Sequence, residues 1–381
     1  MGPFPHDAPP AAITPENPMG TDGFAFVEFA HPEPLQLHRL FRLMGFAEVA
    51  RHRSKTITVY RQGDVDYLVN EEPNTHAARF AALHGPCAAS MGFRVVDAAH
   101  AYERALSLGA EPADPHQGSQ VLEVPAIKGI GGSLLYLVDR YGAVGSVYND
   151  GFVWLAERDP KPERRLDHLT HNVGRGRMDV WAGFYERLFN FRQIRYFDIK
   201  GEYTGLFSRA LTSPDGKIRI PINESADEHS QIEEYLHRYK GEGIQHIACG
   251  CRDIFLTIEA LRANGLAFMP SPPATYYERV DERVPGHGEN LASRSKKIRS
   301  AVESSNLRTS SPPRDCSEAS AQKRPPECDP KSSLSRCPAP PDFTATRNGL
   351  PIRPPSTIAG IGFSSDRMPF CPIGLAVNSW L

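Results

Sequence analysis

Two histidines in the later half of the chain carry the chemistry the sequence offers most directly. His168 lies in Leu166-Asp-His-Leu-Thr-His-Asn-Val173, and His246 lies in Gly243-Ile-Gln-His-Ile-Ala248. Each is flanked by apolar residues, Leu166 and Leu169 in one case, Ile244 and Ile247 in the other, as in a half-buried strand. Imidazoles on neighbouring strands can converge on one metal ion, and as borderline ligands they suit iron, zinc or nickel. A strand histidine is also a common satisfied core residue, so core packing and metal ligation both stand at this point. His171 follows three residues after His168 and points to the opposite face of a strand; it reads as surface or structural. Ser208, Asn223, Gln231 and Gln245 fall in or beside strands of the same region. Neutral donors and acceptors of this kind can orient a small polar substrate, although each could equally be a turn or strand-surface residue.

The elements that would position these side chains recur. A first unit runs from about Gly23 to Gly142. It opens with the strand Phe24-Ala-Phe-Val-Glu-Phe29, continues through a helix ending at Phe46, and then has strands around Ile57–Tyr60 and Asp66–Val69. A strand Gly92–Asp97 and a helix Ala98–Leu108, stopped by Gly109, follow. The second unit, about Arg165 to Glu289, repeats that order. A strand carries His168, a helix spans Val180–Leu188, and strands lie near Arg195–Ile199, Gly205–Ala210 and Ile218–Ile222. Then come the strand with His246 and a helix stopped by Gly265. A duplicated β-α-β-β-β unit implies an α+β fold of curved mixed sheets, each with a concave face able to enclose a ligand. The matching strands of the first unit, Phe24–Phe29 and Ala88–Phe93, hold no histidine, so one active site in the second unit is expected.

Composition narrows the class. With 381 residues, 40 % hydrophobic and 23 % charged, the chain has the mix of a soluble globular protein. A net charge of -2 gives no electrostatic reason for a nucleic-acid or acidic-membrane partner. No apolar run approaches the ~18 residues needed to cross a bilayer, and the Pro- and Ala-rich start lacks signal-peptide character. A cytoplasmic location is expected. Cys87, Cys249 and Cys251 suit a reduced compartment, while Cys316, Cys328, Cys337 and Cys371 crowd into the tail. No phosphate-binding glycine loop or nucleophile elbow is present. The organisation expected is a disordered N-terminus over 1–19, domains over 20–156 and 157–291, and an aberrant Pro- and Ser-rich tail over 292–381. Proline pairs such as Pro312-Pro313 and Pro325-Pro326 forbid regular structure there, so disorder is expected.

The second unit resembles the 4-hydroxyphenylpyruvate dioxygenase family over several long stretches. They include Asp167-His-Leu-Thr-His-Asn-Val173, Phe197-Asp-Ile-Lys-Gly-Glu-Tyr-Thr-Gly205, Ile220-Pro-Ile-Asn-Glu224 and Gly241-Glu-Gly-Ile-Gln-His-Ile-Ala248. The first unit is similar more loosely, and the likeness covers roughly Gly20 to Leu291. The resemblance implies two tandem domains of the vicinal-oxygen-chelate superfamily and a homo-oligomer. It implies that His168 and His246 are ligands of Fe(II), and that Ser208, Asn223, Gln231 and Gln245 line the substrate pocket. It implies no catalytic residue beyond the metal centre. The reaction implied is oxidation of 4-hydroxyphenylpyruvate by O2 to homogentisate and CO2, a step of tyrosine breakdown. An extradiol or glyoxalase-like enzyme of the same superfamily is the alternative within the class.

The likeness stops at His287-Gly-Glu-Asn-Leu291. The family's third iron ligand, a glutamate in a Phe-Phe-Glu motif, has no counterpart afterwards, and Glu303, Glu318 and Glu327 stand in sequence with no strand pattern. A reading-frame change near codon 292 is the simplest account. The second domain is then expected to be incomplete, its sheet to lack closing strands, and the chain to have little or no activity. A non-catalytic remnant is the alternative from another class.

Overall fold

The computed structural model describes residues 9–114, 120–155, 165–200, 205–251, 253–268, 359–361 and 374–379. Expectations for the linker after Leu155, for Glu303, Glu318 and Glu327, and for most of the tail lie outside these residues.

The first unit contains β1 (Thr21–Ala30), α1 (Leu35–Leu43), β2 (Ala47–His52), β3 (Ile57–Gln62), β4 (Val65–Asn70) and α2 (His76–His84). It continues with β5 (Cys87–Val95), α3 (Ala98–Ser107), β6 (Ala126–Lys128), β7 (Leu134–Val138) and β8 (Phe152–Trp154). They form an eight-stranded mixed sheet in the order β6-β7-β5-β1-β4-β3-β2-β8. The N-terminal disorder expected over 1–19 does not reach the end of that span. Asn17 is buried and exchanges hydrogen bonds with Thr21, and Met19 is fully enclosed.

The second unit contains β9 (Arg165–Val173), α4 (Met178–Phe189), β10 (Arg192–Lys200), β11 (Gly205–Thr212), β12 (Arg219–Ser225) and α5 (Gln231–Tyr239). Then come β13 (Gly243–Cys251), α6 (Ile254–Ala263), β14 (Ala359–Ile361) and β15 (Gly374–Ser379). Its sheet is seven-stranded, in the order β10-β11-β12-β9-β13-β15-β14. The closing strands expected to be missing are thus supplied by the tail. β15 pairs parallel to β13 from His246–Gly374 to Cys251–Ser379, and β14 pairs antiparallel to β15. The segment Gly374-Leu-Ala-Val-Asn-Ser379 is free of proline, so every backbone N–H can enter the ladder.

Local chemistry sets the element ends. Asp97 accepts from the His100 N–H to cap α3, and Ser230 accepts from the Glu233 N–H to cap α5. α4 stops at Asn190, whose left-handed backbone its short polar side chain tolerates. One large apolar core unites both units. Phe93 of β5 packs 5.4 Å from the Phe189 ring and stacks 6.1 Å from Phe191, and the Tyr67 hydroxyl lies 3.2 Å from Cys249 Sγ. Gly131 turns with φ +60° against the second unit, where an added Cβ would sit 1.9 Å from the Glu242 carbonyl oxygen.

The two sheets share their register. In the first, β1 pairs parallel to β4 and antiparallel to β5, with Glu28 opposite Ser90 and Phe26 opposite Gly92. In the second, β9 pairs parallel to β12 and antiparallel to β13, with Thr170 opposite His246 and His168 opposite Ala248. Phe26 therefore corresponds to His168, Ser90 to His246, and Asn70 to Asn223. The bulges correspond as well. β1 and β5 carry the extra residues Ala25 and Ala89, and β9 and β13 carry Asp167 and Gln245 at the same points; β1 has one further shift, between Thr21 and Phe24, that the second unit lacks.

Candidate metal centre

Those bulges decide what surrounds the two histidines. Along a regular strand, neighbours in sequence face opposite sides. A bulge breaks that alternation and re-aims side chains. At His168 the bulged neighbour is Asp167, whose Oδ2 lies 2.7 Å from His168 Nδ1. At His246 the bulged neighbour is Gln245, whose Oε1 lies 2.7 Å from His246 Nδ1. A carboxylate and an amide oxygen can only accept, so both imidazoles donate from Nδ1 and turn Nε2 toward each other. The two Nε2 atoms face each other at 3.3 Å, with the ring planes at 78°. The Thr170 hydroxyl oxygen lies 2.9 Å from His246 Nε2, on the same side of the pair.

Asp167 is itself fixed. Its Oδ1 accepts from Arg219 Nη1 at 2.9 Å, and both side chains are almost wholly buried. Buried charges persist where they are paired and hydrogen-bonded, as here on every side. Burial pushes the His246 imidazole down to about 3, reinforced by the nearby His168 and His171 rings, so it is neutral at neutral pH. Two imidazoles aimed at one point, each with its far nitrogen held by an acceptor, are the arrangement of metal-ligating histidines. The donor set fits a divalent transition metal at two positions. Among the described residues no cluster of three His, Cys, Asp or Glu side chains forms, so a third protein ligand is not among them.

The remaining sequence-derived candidates divide. Asn223 of β12 lies opposite Asn172 of β9, and Ser208 of β11 lies opposite Asn223. Asn172 and His168 are on the same face of β9, so Ser208, Asn223 and the histidines line one side of the sheet. Gln231 differs from the expectation. It opens the helix α5 instead of lying in or beside a strand, and it is exposed. The cause is Ser230, whose hydroxyl caps the helix ahead of a buried Ile232, Tyr235 and Tyr239 stripe. His171 is buried rather than on the surface, and its Nε2 lies 2.7 Å from the Tyr185 hydroxyl of α4. Sequence reasoning overlooked Thr170, Asn172, Asp167 and Arg219. Arg219 leaves a signal, a cation within the apolar alternation Ile218-Arg-Ile-Pro-Ile222; the bulge at Asp167 leaves none.

Comparison with known proteins identifies the family. Residues 15–153 match the profile described as hydroxyphenylpyruvate dioxygenase, N-terminal, and residues 165–287 match that of the glyoxalase, bleomycin resistance protein and dioxygenase superfamily. The 4-hydroxyphenylpyruvate dioxygenase of Pseudomonas aeruginosa is 54 % identical over 288 residues, 74 % of this chain and 80 % of that one. A Vibrio vulnificus relative, named hemolysin VllY, is 54 % identical over 285 residues, covering 72 % of this chain and 79 % of its own. Among solved structures, a xylose isomerase-like TIM barrel/4-hydroxyphenylpyruvate dioxygenase fusion protein superposes with a TM-score of 0.62 at 31 % identity, over 78 % of this chain and 45 % of that one. Two glyoxalase-type domains, a duplicated register and identity above half across most of a curated enzyme's length place this chain in the 4-hydroxyphenylpyruvate dioxygenase family.

Proposed function

We propose that the second unit holds an Fe(II) centre for the conversion of 4-hydroxyphenylpyruvate and O2 to homogentisate and CO2. The observation that carries this reading is the meeting of His168 Nε2 and His246 Nε2, each with its Nδ1 tied to a bulged neighbour. Bound ferrous iron would supply the Lewis acidity and the O2 chemistry that an α-keto acid substrate requires. The protein's own share is positioning. The Asp167–Arg219 pair keeps the His168 ring oriented, and Gln245 does the same for His246. Ser208 and Asn223, with Gln231 and Gln245, would hold the substrate through neutral hydrogen bonds that add no charge beside the metal. His168 is only 2 % exposed, so water reaches the pair from the His246 side alone.

We further propose that this chain binds iron weakly and turns over little or no substrate, as a non-catalytic remnant of the family. What favours this second reading is that the described residues bring two ligands together and no carboxylate as a third. Two neutral imidazoles leave the ion's charge uncompensated. A reading-frame change near codon 292 would account for the tail. Iron analysis and oxygen uptake with 4-hydroxyphenylpyruvate test both statements. Iron at one equivalent with homogentisate formed would refute the weak-binding reading and support the reaction. No iron and no turnover would support the remnant. Resequencing the DNA across codons 285 to 300 tests the frame change.

A further inference from the structure

The second unit carries a third bulge. The pairing of β10 with β11 shifts between Gln193 and Arg195, so Ile194 is the extra residue and Arg195 stands opposite Ala210. Ala210 stands opposite Pro221, and Pro221 is level with Thr170, the residue opposite His246. Arg195 therefore ends the row of positions that starts at the histidine pair, three strand spacings or roughly 14 Å from Thr170 along the sheet. Between them this row holds only the small Ala210 and Pro221.

The face is that of the site. Arg209, the neighbour of Ala210, turns the other way and pairs with Asp179 and Glu186 of α4. Arg195 and Ala210 thus share a side with Ser208 and Asn223. β10 is the outer strand of its sheet, and within residues 192–199 every residue is exposed except Arg195, which is half-buried. The stem of such a side chain can rest on the sheet while its head stays in water.

No carboxylate among the described residues answers this cation. The strands β9 to β13 hold three acidic residues. Asp167 is paired with Arg219. Glu224 faces α4, where it accepts from the Met178 N–H. Asp198 lies three residues beyond Arg195 on a regular stretch of strand and faces the other side. The site face therefore carries one positive charge in excess, at its open edge. Such a charge raises the local concentration of anions and offers an oxyanion charge-assisted hydrogen bonds. Phe197, opposite Ser208 on the same face and 38 % exposed, offers an aromatic surface beside it. The first unit shows the position without charge. β2 has the same bulge, at Val49, and Ala50 follows it, fully buried opposite Val59.

We propose that Arg195 draws in and holds the carboxylate of an arylpyruvate anion at the outer edge of the site. The inference rests on the reading of the second unit as an arylpyruvate site. Without metal, Arg195 is the charged partner that this face offers the carboxylate.

4-Hydroxyphenylpyruvate is the probe, titrated by calorimetry into the chelator-treated full chain. 4-Hydroxyphenylacetone, the same ketone with a methyl group in place of the carboxylate, is the neutral control. The acid should bind about tenfold more tightly than the ketone, and added NaCl should shrink that difference. Arg195→Gln should bring the acid down to the affinity of the ketone, leave the ketone unchanged and remove the salt dependence. Arg195→Lys should keep most of the preference. Equal affinity for the acid in the parent and Arg195→Gln would overturn the proposal and leave the reading of the site intact. Loss of both ligands alike in Arg195→Gln would overturn it too, since that is the mark of a structural role. Failure of the parent to bind either ligand would sink the inference together with the reading on which it rests.

Discussion

The two units are the same scaffold with different contents. Both place a bulge beside the same two positions, and both pair their central strands in the same register. In the second unit the bulged residues are Asp167 and Gln245, and they orient His168 and His246. In the first the bulged residues are Ala25 and Ala89, and the facing positions are Phe26 and Ser90. Phe26 is fully buried among Leu68, Leu134 and Tyr136, and its ring so fills the space that a Cβ on Gly92 would meet it at 2.7 Å. At the corresponding place the second unit has Ala248 opposite the smaller imidazole of His168. Glu28, at the Thr170 position, is buried and hydrogen-bonded to Asn70 and Ser90, and burial raises its carboxyl. The fold therefore supplies convergence in both halves, and a few side chains decide whether the converging point is a donor pair or a packed core.

Making the second unit like the first should have the largest effect. His168→Phe is expected to abolish Fe(II) or Co(II) binding, read by metal analysis and by the visible spectrum of the cobalt form, while circular dichroism stays that of the parent. Retained one-to-one metal binding would show that the pair does not act together. The converse change tests the packed half. Phe26→Ala should destabilise the chain by about 3–5 kcal/mol, the usual cost of emptying an aromatic core position. Urea denaturation measures it, and a loss below about 1 kcal/mol would mean that Phe26 is not the plug its burial implies.

Much of this comparison was legible in the residues. Alternating apolar patterns located the strands that hold His168 and His246, and the repeat order pointed to one site in the second unit. The bulges were not legible, since Asp167 and Gln245 have no sequence mark that distinguishes an extra strand residue from an ordinary one. The helix opening at Gln231 was readable in principle from the Ser230 cap and the spacing of Ile232, Tyr235 and Tyr239. It was overlooked because the polar residues around it resemble a strand end. The pairing of β15 with β13 joins residues more than 120 positions apart, as His246 with Gly374. No local pattern encodes such a contact, and a six-residue segment with three apolar residues at its centre fits many edges equally well.

A subtler contrast lies on the other face of the same strands, where Phe29 of the first unit corresponds to His171 of the second. Both are buried, but only His171 can titrate. Its Nε2 lies 2.7 Å from the Tyr185 hydroxyl, which burial keeps protonated, so no anion is there to hold a charged ring. Burial pushes the imidazole from 6.5 down to about 3. Between those values the unfolded chain takes up a proton that the native chain refuses. His171 therefore contributes stability that is complete above pH 6.5 and is lost as pH falls toward 3, at roughly 1 kcal/mol per pH unit. Other groups also titrate in that window, so the informative quantity is a difference. His171→Phe, which copies the first unit, should flatten the fall in urea stability between pH 6 and pH 4 by roughly that slope, whatever it does to stability at pH 7. Parallel curves for the two proteins would mean that His171 takes up its proton equally in the folded and unfolded chain, and that the two faces of this strand do not differ in the way their burial requires.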